Sequence, residues 1–235
     1  MNLCSRSIST GFRTIGSNHM VPAKSLRRLT GTKVQWLLGS TIDAFMEWVL
    51  GQVVHVSVST QPAIYVPTWV GVSCHNSVGL QALVRSPRMS APGYAAAIST
   101  APKKVTIMNI EDVHWVALIL IEASATVEIY DPLPCAIATA AHAQPFLSFM
   151  TALTGDEKYI HFSVQVLDSS VIPQLPFQAD HSSCGIFAAL YLYHYVMQAR
   201  LHFTQADIPR WRQFMLCKIL RLAPCPVGAG TIDLS

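Results

Sequence analysis

Apolar residues near the start of the chain recur at the spacing of a helix, and the residues that follow have the composition of a strand. The segment from Val34, "VQWLLGSTIDAFMEWVLGQ", repeats apolar positions every three or four residues and so predicts a helix. Gly39 interrupts this pattern, and Ser40 or Thr41 after it is a possible N-cap. The adjoining "VVHVSVST" (53–60) is rich in β-branched residues and predicts a strand.

Prolines and small residues interrupt the next part of the chain. Residues 63–73 combine an apolar run with Pro67, which cannot donate to a sheet ladder, so they predict a mixed strand and loop. Residues 85–103 contain three prolines and several Ser and Gly residues, and they predict a loop or an irregular insertion.

The middle of the chain predicts a β-hairpin followed by a helix and a further strand. Residues 114–122 and 126–130 are apolar runs separated by "ASA", which is typical of two antiparallel strands and their turn. Residues 142–155 predict a helix that ends at Gly155, a residue favoured just after a helix C-terminus. Residues 160–168 alternate in part and predict a strand.

The last part of the chain predicts two helices. The segment after Cys184, "GIFAALYLYHYVMQARLHF", has too many large apolar side chains for an exposed helix and predicts a central one. "TQAD" before "IPRWRQFMLCKIL" has the pattern of a capping box that opens a final amphipathic helix. There is no internal repeat or mid-chain linker, so we expect one α+β domain over residues 31–222, with tails at 1–30 and 223–235.

Composition argues against membrane and nucleic-acid functions. Of the residues, 51% are hydrophobic and only 12% are charged, against roughly 25% charged in an average soluble domain. The longest apolar runs are nevertheless far shorter than the roughly 20 residues of a membrane-spanning helix, so we expect no membrane association. The net charge of +3 is too small to indicate nucleic-acid binding.

Basic residues are concentrated at the N-terminus. The stretch from Met1 to Ile42 has no Asp or Glu and holds six of the sixteen basic residues. We expect a solvated basic tail in an intracellular protein of the nucleus or cytoplasm, because no apolar secretory segment follows the first basic residues. A mitochondrial presequence has a similar composition and is the alternative.

The six cysteines do not predict a disulfide framework or a metal site. They are widely spaced, no CxxC occurs, and the HxxC of "HSSC" has no second half-site. We therefore predict neither metal nor cofactor. Only Cys184 has a polar run before it and Gly185 after it, in "QADHSSCGIF".

Cys184 is a candidate nucleophile. If a helix begins near it, Ser182 or Ser183 is a suitable N-cap, and the helix N-terminus favours the thiolate that attacks carbonyl groups. Gly185 would let the backbone come close to a substrate. The alternative is that Cys184 is a small core residue at the start of a helix.

A thiolate nucleophile requires a base, and the base requires a partner that fixes its tautomer. His114 starts the predicted hairpin and Asp131 ends its return strand, so both lie at its open end. Gln178, six residues before Cys184, is a candidate donor to an oxyanion. The alternatives are a surface histidine, a turn aspartate and a solvated loop glutamine, and the strand register decides which face His114 and Asp131 take.

The chain order of these motifs resembles a known family. "HW", a downstream "YD" and then "Q-x5-C-G" resemble the ubiquitin-like-protein-specific (SUMO or sentrin-specific) cysteine proteases of clan CE. The intervals of 17 residues from His114 to Asp131 and 53 from Asp131 to Cys184 are similar to those of the family. The resemblance spans roughly residues 33–200. It implies a papain-like or adenain-like fold, in which a mixed β-sheet is flanked by helices and the nucleophile begins a central helix.

The resemblance also implies roles for individual residues. Cys184 would be the nucleophile, His114 the general base, Asp131 its orienting partner and Gln178 an oxyanion donor. Two further residues match positions whose indoles cover a narrow tunnel for the Gly-Gly tail of a modifier, namely Trp36 and Trp115. For both tryptophans the alternative is ordinary core packing.

The implied function is a monomeric thiol isopeptidase, without cofactor, that cleaves after the C-terminal glycine of a ubiquitin-like modifier, SUMO being expected first. Three features depart from the family pattern: Ser183 stands where an Asp usually precedes the nucleophile, "LGS" replaces polar residues after Trp36-Leu37, and His181 is an added titratable group. The alternatives are a clan-related acyltransferase, such as an acetyltransferase effector, and a catalytically decayed modifier-binding protein.

Overall fold

The computed structural model describes most of the chain. Its described residues are 12–13, 20–30, 35–56, 63–73, 77–86, 89, 93–133 and 138–221. The expected C-terminal tail at 223–235 lies outside them. Among the helices of these residues, none combines the length and the apolar character that crossing a membrane requires.

The N-terminal region holds a short strand pair and a packed helix. These elements are β1 (Phe12–Arg13), the antiparallel β2 (Met20–Val21) and α1 (Ala23–Thr30). Leu26 and Leu29 are buried because residues three apart share one face of a helix, and α1 packs against the last helix of the chain. The packed part of the chain therefore begins before residue 31, and the expectation of a tail over 1–30 is wrong for α1.

The next helix begins later and ends later in the chain than the sequence predicts. It is α2 (Gly39–Val56), so residues 35–38 lie outside it as an irregular segment. The strand predicted over 53–60 is wrong for 53–56, which continue α2, and 57–60 lie outside the described residues. Preference of β-branched residues for strands is weak, and tertiary context overrides it here.

Short elements follow Pro67 and the proline-rich region. They are β3 (Ala63–Val66), α3 (Thr68–Ser73), α4 (Ser77–Val84) and α5 (Tyr94–Thr100). The loop predicted over 85–103 is therefore wrong for α5, which buries Ile98. The mixed strand and loop predicted at 63–73 is a strand followed by a short helix.

The predicted hairpin is confirmed, with an unpredicted strand beside it. The elements of this region are β4 (Lys103–Ile110), β5 (His114–Ile121), β6 (Thr126–Tyr130), α6 (Gln144–Thr154) and β7 (Ser163–Leu167). The residue pattern did not predict β4. Lys104, near the start of β4, is fully buried and forms an ion pair with Glu122, which directly follows β5. No local pattern of residues reveals such a contact. Gly155 ends α6 with a φ of +70°, as predicted.

Two helices complete the fold, α7 (Cys184–Val196) and α8 (Ile208–Leu220). Every residue of α7 from Cys184 to His194 is buried, which confirms the predicted central helix. The predicted capping box is present between Thr204 and Asp207, in a short 3-10 turn that leads into α8.

The main sheet is mixed, with strand order β3-β4-β5-β6-β7. The β4–β5 and β5–β6 pairs are antiparallel, and the outer pairs β3–β4 and β6–β7 are parallel. Parallel pairs require crossover connections, which α3–α5 and α6 provide. One face of the sheet packs on α2, α7 and α8, and the other on α3 to α6. A mixed sheet flanked by helices is what the family resemblance implies, and it agrees with the α+β domain predicted from the residue pattern.

Candidate active site

His114 and Asp131 meet at the open end of the β5–β6 hairpin. The register pairs Ala117 with Tyr130, so one further step places Asp131 opposite Val116 and diagonal to His114. Diagonal neighbours on one face can touch. His114 Nε2 lies 2.7 Å from Asp131 Oδ1, and the two side chains are 4% and 0% exposed. The register that the sequence left open is therefore the one that brings this pair together.

The Asp131 carboxylate is fixed by the loop that follows it. Oδ1 also accepts the backbone N–H of Leu133 at 2.9 Å, and Oδ2 accepts that of Ala138 at 2.9 Å. Burial alone would raise the pKa of Asp131, but the hydrogen bonds from His114 and from these two backbone groups lower it. A carboxylate can only accept, so Nε2 of His114 carries the hydrogen and Nδ1 is left for other contacts.

Cys184 lies at the first position of α7, beside His114. Ser183 is its N-cap residue, as predicted, but its side chain accepts no bond from the helix. Burial lowers the pKa of His114, whereas hydrogen bonds to Asp131 and Cys184 raise it, to about 9 overall. The raised pKa favours the imidazolium form of His114. Cys184 is 1% exposed.

Trp115 packs on the side of the sheet that carries α7. Consecutive strand residues point to opposite faces, so Trp115 faces the core that includes Cys184 while His114 faces Asp131. A Cβ on Gly185 would lie 3.1 Å from Trp115 Cδ1 and 3.3 Å from Leu37 Cβ. The space beside Gly185 is thus occupied by side chains of the core. From the sequence, we expected this glycine to let the backbone come close to a substrate.

Three consecutive carbonyl groups anchor the irregular segment that carries Trp36. Arg212 of α8 donates to the carbonyl of Gln35 at 2.9 Å, and Arg28 of α1 donates to that of Trp36 at 2.8 Å. The indole N–H of Trp115 donates to the carbonyl of Leu37 at 3.2 Å. The backbone around Trp36 is therefore fixed by side chains from α1, α8 and β5. The side chain of Trp36 is half-buried.

Gln178 is tied to the loops on both sides of the site. Its backbone N–H donates to the carbonyl of Pro132 at 2.8 Å, directly after Asp131. Its side-chain Nε2 donates to the carbonyl of Asp180 at 2.7 Å. The buried Oε1 has no hydrogen-bond partner among the described residues. Only an N–H can face a carbonyl, so this contact also fixes which end of the amide is the nitrogen.

The six candidate residues thus form one connected region. His114 is hydrogen-bonded to Asp131 and lies beside Cys184, Gln178 joins the Asp131 loop to the approach to Cys184, and both tryptophans lie along residues 36–37. Sequence reasoning missed Arg28 and Arg212, whose contacts span up to 184 positions of sequence and leave no local signal. The described residues contain no cluster of three or more His, Cys, Asp and Glu suited to a metal ion.

A protein-family model matches the sequence of the chain. The model described as the Ulp1 protease family, C-terminal catalytic domain, matches residues 95–227, more than half of the chain. The chain belongs to the Ulp1 protease family. As a Ulp1-family protein it is a cysteine-type peptidase, a hydrolase, which confirms the family suggested by the sequence motifs. No curated protein sequence matches the chain.

Solved structures of other proteins share the fold. The C-terminal Ulp1 protease domain in complex with Smt3, the yeast ortholog of SUMO, is 17% identical, with 92% of this chain and 91% of that chain covered and a TM-score of 0.69. The Xanthomonas campestris effector XopD bound to ubiquitin is 13% identical, with 80% of this chain and 91% of that chain covered and a TM-score of 0.52. At these identities the likeness concerns the fold alone, and it confirms the predicted fold class.

Proposed function

We propose that this Ulp1-family chain is a thiol isopeptidase that cleaves after the C-terminal Gly-Gly of a ubiquitin-like modifier, with SUMO the first candidate. One observation carries the proposal. His114 bonds Asp131 through Nε2 at 2.7 Å and contacts Cys184 at the start of α7. This is the order of nucleophile, base and orienting carboxylate that thiol catalysis requires.

The acylation step uses the Cys184–His114 pair. The Cys184 thiolate attacks the carbonyl carbon of the terminal glycine, and the carbonyl electrons move to its oxygen. Collapse of this intermediate expels the lysine amine or peptide amine, which takes the proton held by His114. The product is a thioester on Cys184, and Asp131 stabilises the imidazolium before the transfer because its pKa is kept low.

The oxyanion of this step needs hydrogen-bond donors. The Gln178 Nε2 has two hydrogens, and Asp180 takes one of them. We assign the second to the oxyanion, together with the backbone N–H of Cys184, which lies in the first turn of α7 and has no partner inside the helix. Loss of one such donor typically reduces turnover by about 10²- to 10³-fold.

Hydrolysis of the thioester completes the cycle. His114, now neutral, removes a proton from water, and the resulting hydroxide attacks the thioester carbonyl. The modifier is released as the glycine carboxylic acid, which loses its proton to water to become the carboxylate. The thiolate of Cys184 is restored beside a protonated His114. The reaction consumes one water and needs neither metal nor cofactor.

The surroundings of Cys184 favour a slim acyl group. Cys184 is 1% exposed, and Trp115 is packed against Gly185 and Leu37. Trp36 lies on the segment whose carbonyl Trp115 holds, one residue from that contact. An extended tail without side chains could pass between such indoles, which is why Gly-Gly fits this site better than a bulkier tail.

SUMO is the first candidate modifier because of what the relatives bind. One solved Ulp1 protease domain is bound to Smt3, the yeast ortholog of SUMO, and another relative is described as a de-sumoylating protease. XopD in complex with ubiquitin makes ubiquitin the main competitor. Ser183 and the "LGS" of residues 38–40 depart from the family pattern at two places where the modifier tail would pass.

Covalent capture tests the proposed function. Purified protein is incubated with SUMO and ubiquitin that carry a thiol-reactive group in place of the terminal carboxylate, and adducts are separated on a denaturing gel. We expect a SUMO adduct with wild type and none with Cys184→Ala. Cys217, the other free cysteine of the described residues, provides the matched control, because Cys217→Ala should form the adduct at the wild-type rate.

The possible results separate the hypotheses. An adduct with ubiquitin alone would contradict SUMO as the substrate but keep the nucleophile. An adduct that persists in Cys184→Ala would contradict the assigned nucleophile. Absence of adducts from folded protein would contradict the peptidase proposal as a whole and favour an acyltransferase or a modifier-binding protein.

A further inference from the structure

The loop before Cys184 is organised by a single carboxylate. Asp180 Oδ1 accepts the backbone N–H groups of Ser182 at 2.9 Å and Ser183 at 2.8 Å. Its Oδ2 accepts the hydroxyl of Ser183 at 2.7 Å and the amide of Gln205 at 2.9 Å. Four donors thus converge on one half-buried side chain, four residues before the nucleophile.

Gln205 holds this loop from outside. Its Nε2 donates to Asp180, and its Oε1 accepts the backbone N–H of Ala179 at 2.8 Å, so both ends of one amide bind neighbouring residues. Gln205 itself lies in the 3-10 turn that is fixed by the capping box of Thr204 and Asp207. The loop is therefore tied to the rigid start of α8.

Asp180 also contacts the proposed oxyanion machinery. Its carbonyl accepts Gln178 Nε2 at 2.7 Å, and its carboxylate binds Ser183, the residue directly before Cys184. We infer that Asp180, held by Gln205, is a positioning residue that aims the Gln178 amide and the backbone N–H of Cys184 at the oxyanion. This inference rests on the proposed function.

This assignment explains a departure from the family pattern. An Asp usually precedes the nucleophile, and Ser183 stands there instead. The carboxylate of this chain comes from Asp180, three residues earlier, and reaches the Ser183 hydroxyl. Burial raises the pKa of Asp180, but the hydrogen bonds from Ser182, Ser183 and Gln205 lower it overall, so the group is ionised at neutral pH.

The test compares turnover with intrinsic reactivity of the nucleophile. Asp180→Asn and Gln205→Ala are assayed on SUMO with a C-terminal fluorogenic amide, and alkylation of Cys184 by iodoacetamide is followed in parallel. We expect kcat to fall by about 10- to 100-fold, because oxyanion donors act in the transition state. KM and the alkylation rate should stay within about threefold of wild type, because neither requires an oxyanion.

Asp168→Asn is the matched control. Asp168 makes the same kind of turn, with Oδ1 accepting the backbone N–H of Ser170 at 2.8 Å and of Val171 at 3.2 Å. None of its contacts in the described residues involves Gln178 or Gln205. This variant should keep kcat within about twofold of wild type, since a turn alone does not aim the oxyanion donors.

Three outcomes overturn the inference. An unchanged kcat in Asp180→Asn and Gln205→Ala would contradict the positioning role. A fall in the rate of Cys184 alkylation as large as the fall in kcat would also contradict it. A fall in kcat of the same size in Asp168→Asn would show that loss of any such turn lowers kcat, without a specific role for Asp180. If Asp180→Asn does not fold, Gln205→Ala decides. A wild type that does not cleave the substrate at all contradicts the proposed function, which is a separate failure.

Discussion

Two irregular segments border the candidate site, and they are held in opposite ways. In the segment 178–183, backbone N–H groups converge on one acceptor, the carboxylate of Asp180. In the segment 35–37, three backbone carbonyl groups each receive a donor from a different element, namely from Arg212, Arg28 and Trp115. One segment has a single anionic centre, and the other has three separate donors.

The difference follows from what each segment leaves unpaired. Residues 178–183 lead into the N-terminus of α7, where N–H groups lack helical partners, so an acceptor is required. Residues 35–37 precede α2 without forming a helix or strand, so their carbonyl groups require donors. A single centre fixes one loop tightly and titrates with acid. Distributed donors couple elements that are distant in sequence.

Arg212→Met should have the largest effect on stability. Arg212 is 4% exposed and donates to the carbonyls of both Arg28 and Gln35, so α1, α8 and the Trp36 segment lose a shared partner. We expect the free energy of unfolding to fall by about 2 kcal/mol, because charged donors contribute more than neutral ones. Denaturant unfolding measures this change.

The control for Arg212→Met is Gln213→Met on the same helix. Gln213 is exposed, and exposed substitutions usually change the free energy of unfolding by less than about 0.5 kcal/mol. Equal losses in the two variants would show that the carbonyl contacts of Arg212 contribute nothing specific.

Arg28→Met should have a smaller and more local effect. It removes one donor, to the carbonyl of Trp36, and we expect a loss of about 1 kcal/mol. We also expect KM for a SUMO substrate to rise by a few-fold, because Trp36 would be less well placed. The neighbouring Arg27→Met, at an exposed position of α1, should leave both quantities unchanged; a matching rise in KM would contradict the anchoring role of Arg28.

The pH dependence should differ between the two segments, and this is the smallest effect expected. The folded-state pKa of Asp180 is lowered, so its contribution to stability is present above its ordinary value of 3.8 and is lost as pH falls through the lowered value. The Tm gap between wild type and Asp180→Asn should be about 2 °C near pH 6 and should narrow towards about pH 3. For Arg212→Met the difference in Tm from wild type should not narrow over this pH range. If both Tm differences narrowed together, the proposed contrast between the two segments would be wrong.

The catalytic candidates could be predicted from local patterns, because their spacing reflects short-range structure. The β5–β6 hairpin brings residues at its open end together, and the apolar run after Cys184 predicts the buried helix. The contact of His114 with Asp131 still depended on a register that only the folded sheet supplies. Gln178 was predicted as a donor, and its amide is the group that Asp180 holds.

The supporting residues could not be predicted in the same way. Gln205 bonds Ala179 across 26 positions and Arg212 bonds Gln35 across 177, and no local period carries such contacts. Asp180 had a partial signal, because an Asp side chain commonly accepts the backbone N–H two residues further on in a turn. α1 was missed because its polar residues outweigh the buried pair of Leu26 and Leu29.

The most direct test of the central claim is the mass of the cleaved product. A SUMO precursor with residues beyond Gly-Gly is incubated with the purified protein, and both fragments are weighed by intact mass spectrometry. We expect one cut, after the second glycine, that is absent with Cys184→Ala. A cut at another position, or a cut that persists in Cys184→Ala, would contradict it.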